Sequence, residues 1–159
     1  GELSFIAECK RRSPSVGVLS AESSLAERAQ SYADGGAAAL SILTEEDHFQ
    51  GRITDLAVVA MTGLPRLRTD FMLSVDMVVE TIAMGADAVL LLAVCLDDAQ
   101  LMDMRAAAKD LGLAVLLEVH DDAELERGLR VASISAVLPS ERHRCTSALA
   151  CTRLRATAS

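Results

Sequence analysis

Residues 88–98 carry the sequence AVLLLAVCLDD, and the fold class follows from them. Residues 88–94 are apolar without the alternation that a half-exposed strand shows, so we predict a strand buried on both faces of a parallel sheet. Asp97 and Asp98 then begin a helix, where acidic side chains suit the positive end of the helix dipole. A buried strand followed directly by a helix indicates an α/β fold.

The same alternation of strands and helices extends in both directions from this stretch. Further strands are predicted at residues 5–9, 38–43, 66–68, 113–119 and 134–138. Between them we predict helices that begin at the N-caps Ser20 and Ser74, at Asp121, and over residues 53–61. Short connections favour right-handed βαβ units, which fit either a (β/α) barrel or an open doubly wound sheet. No GxGxxG or GxxxxGK[ST] motif supports a dinucleotide or P-loop site.

Composition excludes several classes of protein. The 159 residues, 51% hydrophobic and 24% charged, are enough for one folded domain. The longest apolar run, residues 88–96, is far shorter than the roughly 20 residues of a membrane-spanning helix. A formal net charge of −8 argues against a nucleic-acid or anionic-membrane partner. With no visible secretory signal and four scattered cysteines, we expect a cytoplasmic protein.

The character of the chain changes after about residue 130. Residues 1–126 hold 9 basic and 22 acidic residues, whereas residues 127–159 hold 6 arginines and one glutamate. We therefore predict a domain over residues 1–132 and a divergent, irregular tail over residues 133–159. The abrupt change favours a disordered end or a shift of reading frame, and a basic nucleic-acid arm is the weaker alternative because no aromatic residue is interleaved.

Three residues at predicted strand ends are candidates for chemistry. Glu8 and Lys10 are two residues apart on a strand and so point to the same face. Glu118 ends an otherwise apolar strand, where a carboxylate is costly to bury unless it is paired, although a solvent-facing glutamate is the simpler alternative. His120 is interpreted as a neighbour of a helix cap. His48, in an acidic loop, could ligate a metal, but a solvated loop is the better interpretation.

Read together, these segments resemble the indole-3-glycerol phosphate synthase family of tryptophan biosynthesis. Residues 5–15 (FIAECKRRSPS) are similar to its first-strand motif, and residues 32–51 to its second-strand block. Residues 67–71 (LRTDF) lie where the family has Leu-Arg-Lys-Asp-Phe. Residues 85–91 and 117–120 match its fourth and fifth strands, so the resemblance covers roughly residues 5–130.

The resemblance implies an incomplete (β/α)8 TIM barrel of about five to six βα units. It also implies a carboxy-lyase that closes the indole ring of 1-(2-carboxyphenylamino)-1-deoxyribulose 5-phosphate, a phosphorylated anthranilate-sugar, with loss of CO₂ and water. No cofactor or metal is implied, and association with other tryptophan-pathway enzymes is left open.

The site residues implied by the resemblance fall into two groups. Lys10 would bind the substrate carboxylate and assist proton transfer, Glu8 would orient Lys10, and Glu118 would be the acid/base carboxylate. For substrate binding, Ser13 would line the carboxylate end, and Phe49 and Phe71 would pack against the anthranilate ring, with core packing as the alternative for both.

Two departures from the family pattern bear on activity. Thr69 replaces the third-strand lysine, and a hydroxyl cannot deliver a proton from a cationic state. The sixth-strand Gly-Ile-Asn-Asn-Arg motif and the phosphate-binding segments are absent from a chain that contains no asparagine. The alternative prediction is therefore an inactive truncated remnant or a non-catalytic binding module of the family.

Overall fold

Parallel strands and helices alternate along the chain, as the sequence predicts. A computed structural model describes residues 4–13, 17–18, 24–131, 136–139 and 148–150. Its main strands are β1 (Phe5–Cys9), β2 (Ala39–Leu43), β3 (Arg66–Thr69), β4 (Ala88–Leu92), β5 (Ala114–Val119), β6 (Ala136–Pro139) and β7 (Ala148–Ala150). Its helices are α1 (Leu25–Asp34), α2 (Asp55–Val58), α3 (Val75–Ala83), α4 (Asp98–Asp110) and α5 (Asp122–Val131). Two 3₁₀ helices lie at Val59–Thr62 and Ala93–Cys95.

The strand order identifies a barrel rather than a doubly wound sheet. The sheet runs β6-β5-β4-β3-β2-β1-β7, so each of the six parallel strands pairs with its neighbour in sequence. A doubly wound sheet would reverse its order at a switch point, and the described strands have no such reversal. The strand β7 pairs antiparallel with β1 and was not predicted. The described strands therefore form the incomplete (β/α)8 barrel that the sequence predicts.

Alternating residues of the strands supply two separate apolar layers. Leu91 and Leu117 point outward and are fully buried in a cluster formed with α3 and α4. Leu90 and Leu116 point inward and belong to a second cluster in the barrel interior. Burying each such leucine stabilises the fold by about 1.5–3 kcal/mol. The outer layer thus fixes the sheet, and the inner layer forms the floor below the strand ends.

The helix termini correct two sequence predictions. The predicted N-cap Ser20 is wrong, because α1 begins after Ser24, whose Oγ accepts the Glu27 N–H at 3.2 Å. Glu27 accepts the Ser24 N–H at 2.8 Å in return, which completes a capping box. The single helix predicted over residues 53–61 is instead the short α2 followed by a 3₁₀ turn. Ser74 does precede α3, but its side chain makes no capping hydrogen bond.

Only short segments of the predicted tail lie within the described residues. The strand β6 occupies the place predicted for a sixth strand and pairs with β5 in parallel. The rest of residues 133–159, apart from β7, lies outside the described residues, so the boundary at residue 132 stays a prediction. In the described part of the chain, no helix has the length and apolar character needed to cross a bilayer.

Candidate active site

The carboxyl ends of β1 to β5 surround one open cavity of about 370 Å³. This is the end of a (β/α) barrel where catalytic residues lie. Most of the cavity wall is apolar, and three carboxylates, one lysine and one histidine interrupt it. The lining residues are Glu8, Lys10, Leu43, Phe49, Leu67, Thr69, Asp70, Phe71, Leu90, Leu92, Val94, Cys95, Leu116, Glu118 and His120.

The polar residues of the cavity form a layer directly above an apolar floor. The floor contains Ile6, Leu67, Leu90 and Leu116, one from each of β1, β3, β4 and β5. Two residues further along the same strands are Glu8, Thr69, Leu92 and Glu118, all of which line the cavity. Because alternate residues of a strand share a face, the residue two positions after each floor residue also points inward and lies at the cavity.

Glu8 and Lys10 form an ion pair at the end of β1. Lys10 Nζ donates to Glu8 Oε2 at 2.5 Å, and the side chains of Lys10 and Glu8 are 19% and 22% exposed respectively. The common face expected from their spacing is therefore present. Of the described residues that line the cavity, Lys10 is the only lysine or arginine. An anionic group entering the cavity would meet this ammonium group.

Glu118 lies beside His120 at the end of β5. His120 Nε2 is 3.4 Å from Glu118 Oε1, and His120 Nδ1 is 3.2 Å from Glu124 Oε2. The His120 N–H also donates to Glu124 at 2.7 Å, so the histidine does neighbour the start of α5 as expected. The sequence interpretation missed that His120 lines the cavity as well. Its position two residues after the inward Glu118 was the available signal.

The two phenylalanines lie in loops at the rim of the cavity. Phe49 lies in the loop after β2, and Phe71 follows β3 with 47% of its surface exposed. Neither belongs to a core cluster of the described residues. The alternative of core packing is therefore not favoured for either ring. Asp70 accepts the Phe71 N–H at 2.8 Å and so fixes the backbone at this point.

Thr69 lines the cavity at the end of β3, and the resemblance implies a lysine at this position. Its Oγ1 is 3.2 Å from Ser41 Oγ on the neighbouring strand β2, and both residues are buried. The two hydroxyls satisfy each other, and neither supplies a positive charge. The preceding residue, Arg68, points to the opposite face of β3 and does not line the cavity.

Ser13 lies on a two-residue strand, Arg12–Ser13, that pairs antiparallel with Gly17–Val18. Its role at the carboxylate end stays a prediction. The loop before it contains a contact that the sequence analysis missed. Arg11 donates to both carboxylate oxygens of the buried Asp55, at 2.9 and 2.6 Å, and this hydrogen bonding raises the pKa of Arg11. The pair ties the end of β1 to α2.

The acidic loop around His48 is held together by hydrogen bonds to one of its own carboxylates. No group of three or more potential ligands is present among the described residues. The Glu45 carboxylate instead accepts hydrogen bonds from the loop itself. Although burial opposes ionisation, donation from His48, Phe49 and Asp47 lowers the pKa of Glu45.

Burial raises the pKa of the Cys9 thiol on β1 to about 11, because the packing of the strand excludes water from the thiol.

Comparison with solved structures supports the fold alone. The chain is similar to KGPDC from Streptococcus mutans, with a TM-score of 0.61 and 11% identity over 86% of this chain and 64% of that one. It is also similar to a point variant of mandelate oxidase, with a TM-score of 0.60 and 15% identity over 85% and 48% of the two chains. Strand order, with polar residues at the carboxyl ends of the strands, defines a (β/α)-barrel protein.

Sequence comparison identifies the family. The profile of indole-3-glycerol phosphate synthase matches residues 1–137. The enzyme of that name from Polaromonas naphthalenivorans is 52% identical over 82% of this chain and 50% of its own length. That from Verminephrobacter eiseniae is 54% identical over 81% and 50%. The chain belongs to the indole-3-glycerol phosphate synthase family, and it spans about half the length of the curated relatives it matches.

Proposed function

We propose that the cavity binds 1-(2-carboxyphenylamino)-1-deoxyribulose 5-phosphate and closes its indole ring with loss of CO₂ and water. One observation carries the proposal: Glu8, Lys10 and Glu118 lie at the ends of two strands and line the same cavity as Phe49 and Phe71. A cation for a carboxylate, carboxylates for proton transfer and an apolar wall for a ring match the needs of this substrate.

Each candidate group has a distinct task in the proposed reaction. The ring carbon that bears the carboxylate attacks the carbonyl carbon, and the carbonyl oxygen must receive a proton. Lys10 binds the carboxylate and assists this transfer, while Glu8 holds the Lys10 ammonium in place through their ion pair. After CO₂ leaves, Glu118 removes a proton from the carbon between the nitrogen and the carbon that bears the new hydroxyl, and returns it to that hydroxyl, which departs as water while the ring double bond forms.

The two lysines of the chain provide a matched test. Lys10 lines the cavity, whereas Lys109 is exposed near the end of α4. We expect indole fluorescence to develop with the unmodified chain and with Lys109→Met, and to be lost with Lys10→Met by about 100-fold or more. Equal rates for Lys10→Met and Lys109→Met would refute the assignment. Circular dichroism of the three proteins establishes that the fold is retained.

A non-catalytic binding module is the second candidate, and Thr69 favours it. Without a lysine at this position, the described cavity retains a carboxylate and ring site but lacks one acid for the carbonyl oxygen. Such a module binds anthranilate but does not release indole-3-glycerol phosphate. The absence of tryptophan from the chain leaves anthranilate fluorescence free of indole background.

Thr69→Lys separates the two candidates. If the missing acid is the main defect, this substitution raises turnover above that of the unmodified chain. If the absent phosphate-binding segments are the main defect, Thr69→Lys binds anthranilate and still shows no turnover. Thr69→Met, which has similar length and no charge, is the control for a purely steric effect.

A further inference from the structure

The loop after β2 is closed around the carboxylate of Glu45. Glu45 Oε2 accepts the N–H groups of His48 at 2.8 Å and Phe49 at 3.1 Å. Glu45 Oε1 accepts the Asp47 N–H and lies beside the His48 ring nitrogen Nδ1, each at 3.1 Å. Three successive backbone N–H groups therefore point at one carboxylate, which is the arrangement of an anion-binding nest.

The chain after Phe49 restricts the loop further. The Gly51 N–H donates to the Glu45 carbonyl at 2.8 Å, which brings the two ends of the loop together. A side-chain carbon at Gly51 would lie 2.1 Å from the Leu43 carbonyl oxygen, so only glycine fits there. Gln50 has a φ of 56°, which is unusual for a residue with a side chain. The backbone on both sides of Phe49 is thus held in one conformation.

The Glu45 carboxylate, which accepts these hydrogen bonds, does not itself line the cavity. Phe49 does line it. Only 13% of the Glu45 side chain is exposed, although His48 beside it is 74% exposed. A charged side chain that is largely covered within an exposed loop directs its hydrogen-bonding capacity to the loop backbone.

We propose that Glu45 is a positioning residue of the candidate site, whose carboxylate holds the backbone of residues 47–49 so that the Phe49 ring forms one wall of the cavity. This inference rests on the proposed function, because it assigns Phe49 to the aromatic ring of the ligand. Glu45 acts through Phe49 and touches no ligand itself. It therefore sets the affinity for the aromatic end of the ligand.

A double-mutant cycle with anthranilate as the fluorescent probe tests this coupling. Glu45→Ala and Phe49→Ala should each weaken anthranilate binding, by several-fold up to about tenfold, because an aromatic contact contributes about 0.5–1.5 kcal/mol. The double variant should bind no more weakly than Phe49→Ala alone. Glu46→Ala is the matched control, since Glu46 is exposed and its side chain accepts none of these N–H groups, and it should bind like the unmodified chain. If the effects of the two single substitutions multiply, Glu45 does not act through Phe49 and the proposal is overturned.

Amide hydrogen exchange provides a readout without ligand. In Glu45→Ala the Phe49 N–H should lose its protection while the amides of β2 and β4 keep theirs, and Glu46→Ala should change neither. Glu45→Gln, which retains one carbonyl oxygen, should lose part of the protection and serves if Glu45→Ala does not fold. Unchanged exchange at Phe49 overturns the inference. If the unmodified chain fails to bind anthranilate, the proposed function fails, and the exchange result alone decides the anchoring role of Glu45.

Discussion

Replacing Arg68 by methionine is expected to destabilise the fold far more than the same replacement at Arg66. Both arginines lie on β3 and point to its outer face, two residues apart, so they form a natural pair for comparison. Arg68 is 4% exposed, whereas Arg66 is 20% exposed. The side-chain hydrogen bonds of Arg68 run to Thr44, Asp70, Met77, Glu80 and Thr81.

The size of the effect follows from the partners that Arg68→Met leaves behind. Arg68 is 3.1 Å from the Asp70 carboxylate, which is 12% exposed, and breaking a buried pair from one side costs about 3–5 kcal/mol. Asp70 keeps the hydroxyl of Thr44, which donates to it at 2.8 Å, and Glu80 is 48% exposed and can return to water. We therefore expect the low end of the range, about 3 kcal/mol.

The expected cost at Arg66 is below about 1 kcal/mol. Its nearest ion-pair contact, to Asp87, is 3.7 Å long, and Asp87 is 54% exposed. Urea titration of Arg68→Met, Arg66→Met and the unmodified chain, followed by circular dichroism, measures both differences. Adding Asp70→Asn to Arg68→Met should recover part of the loss, because it removes the carboxylate left without its guanidinium partner. Equal destabilisation by the two single substitutions would refute the argument from burial.

Three further outcomes are expected. The pKa of the Cys9 thiol is about 11, against 9.0 for a free thiol, so the buried neutral thiol stabilises the fold fully below pH 9 and this stabilisation is lost as the pH rises to 11. Cys9→Ala should therefore flatten the decline in the free energy of unfolding between pH 9 and 11. Because the pKa of Glu45 is lowered, its carboxylate stabilises the fold at pH values above 4.5, the ordinary pKa of the group. This stabilisation is lost as the pH falls through the lowered pKa of the folded state. Glu45→Gln should therefore remove part of the acid destabilisation that urea titrations at about pH 3 and pH 6 measure. Gly51→Ala should weaken anthranilate binding, because its new carbon would overlap the Leu43 carbonyl oxygen, and unchanged affinity by fluorescence titration would contradict this.

Much of the fold could be predicted because burial on both faces leaves a simple pattern. The apolar run at residues 88–94 predicted β4, but its last residues form a 3₁₀ turn in which Val94 is 62% exposed. Hydrophobicity alone cannot mark the point where a buried strand reaches the barrel rim. The start of α1 was misplaced although Ser24 and Glu27 have the spacing of a capping box, a signal that Ser20 lacks. The antiparallel β7 depends on long-range pairing that local sequence does not encode.

The candidate site was partly predictable for a different reason. The spacing of Glu8 and Lys10 fixes their common face once β1 is recognised as a strand, and the structure places both at the cavity. Nothing local links Arg11 to Asp55, since their pairing depends on how α2 packs beside the end of β1. The anchoring of the β2 loop by Glu45 was missed because its spacing resembles any acidic surface loop. Sequence spacing thus predicts the face of a residue, whereas packing between elements chooses its partner.

On the proposed function, a threonine rather than a lysine at position 69 removes a positive charge from the polar layer as well as a proton donor. Lys10 is the one lysine or arginine among the described residues that line the cavity, so the cavity offers no second cationic group of this kind. Lys10 is already paired with Glu8, and Glu118 has His120 beside it. A substrate with both a carboxylate and a phosphate brings more negative charge than one paired lysine can balance in a partly apolar cavity. On the proposed function, anthranilate should therefore bind with less unbalanced negative charge than the full substrate, because it brings a single carboxylate. On the proposed function, Thr69→Lys should therefore raise the affinity for the full substrate more than the affinity for anthranilate. Equal gains in affinity for the two ligands would show that the side chain at position 69 acts through its shape rather than its charge.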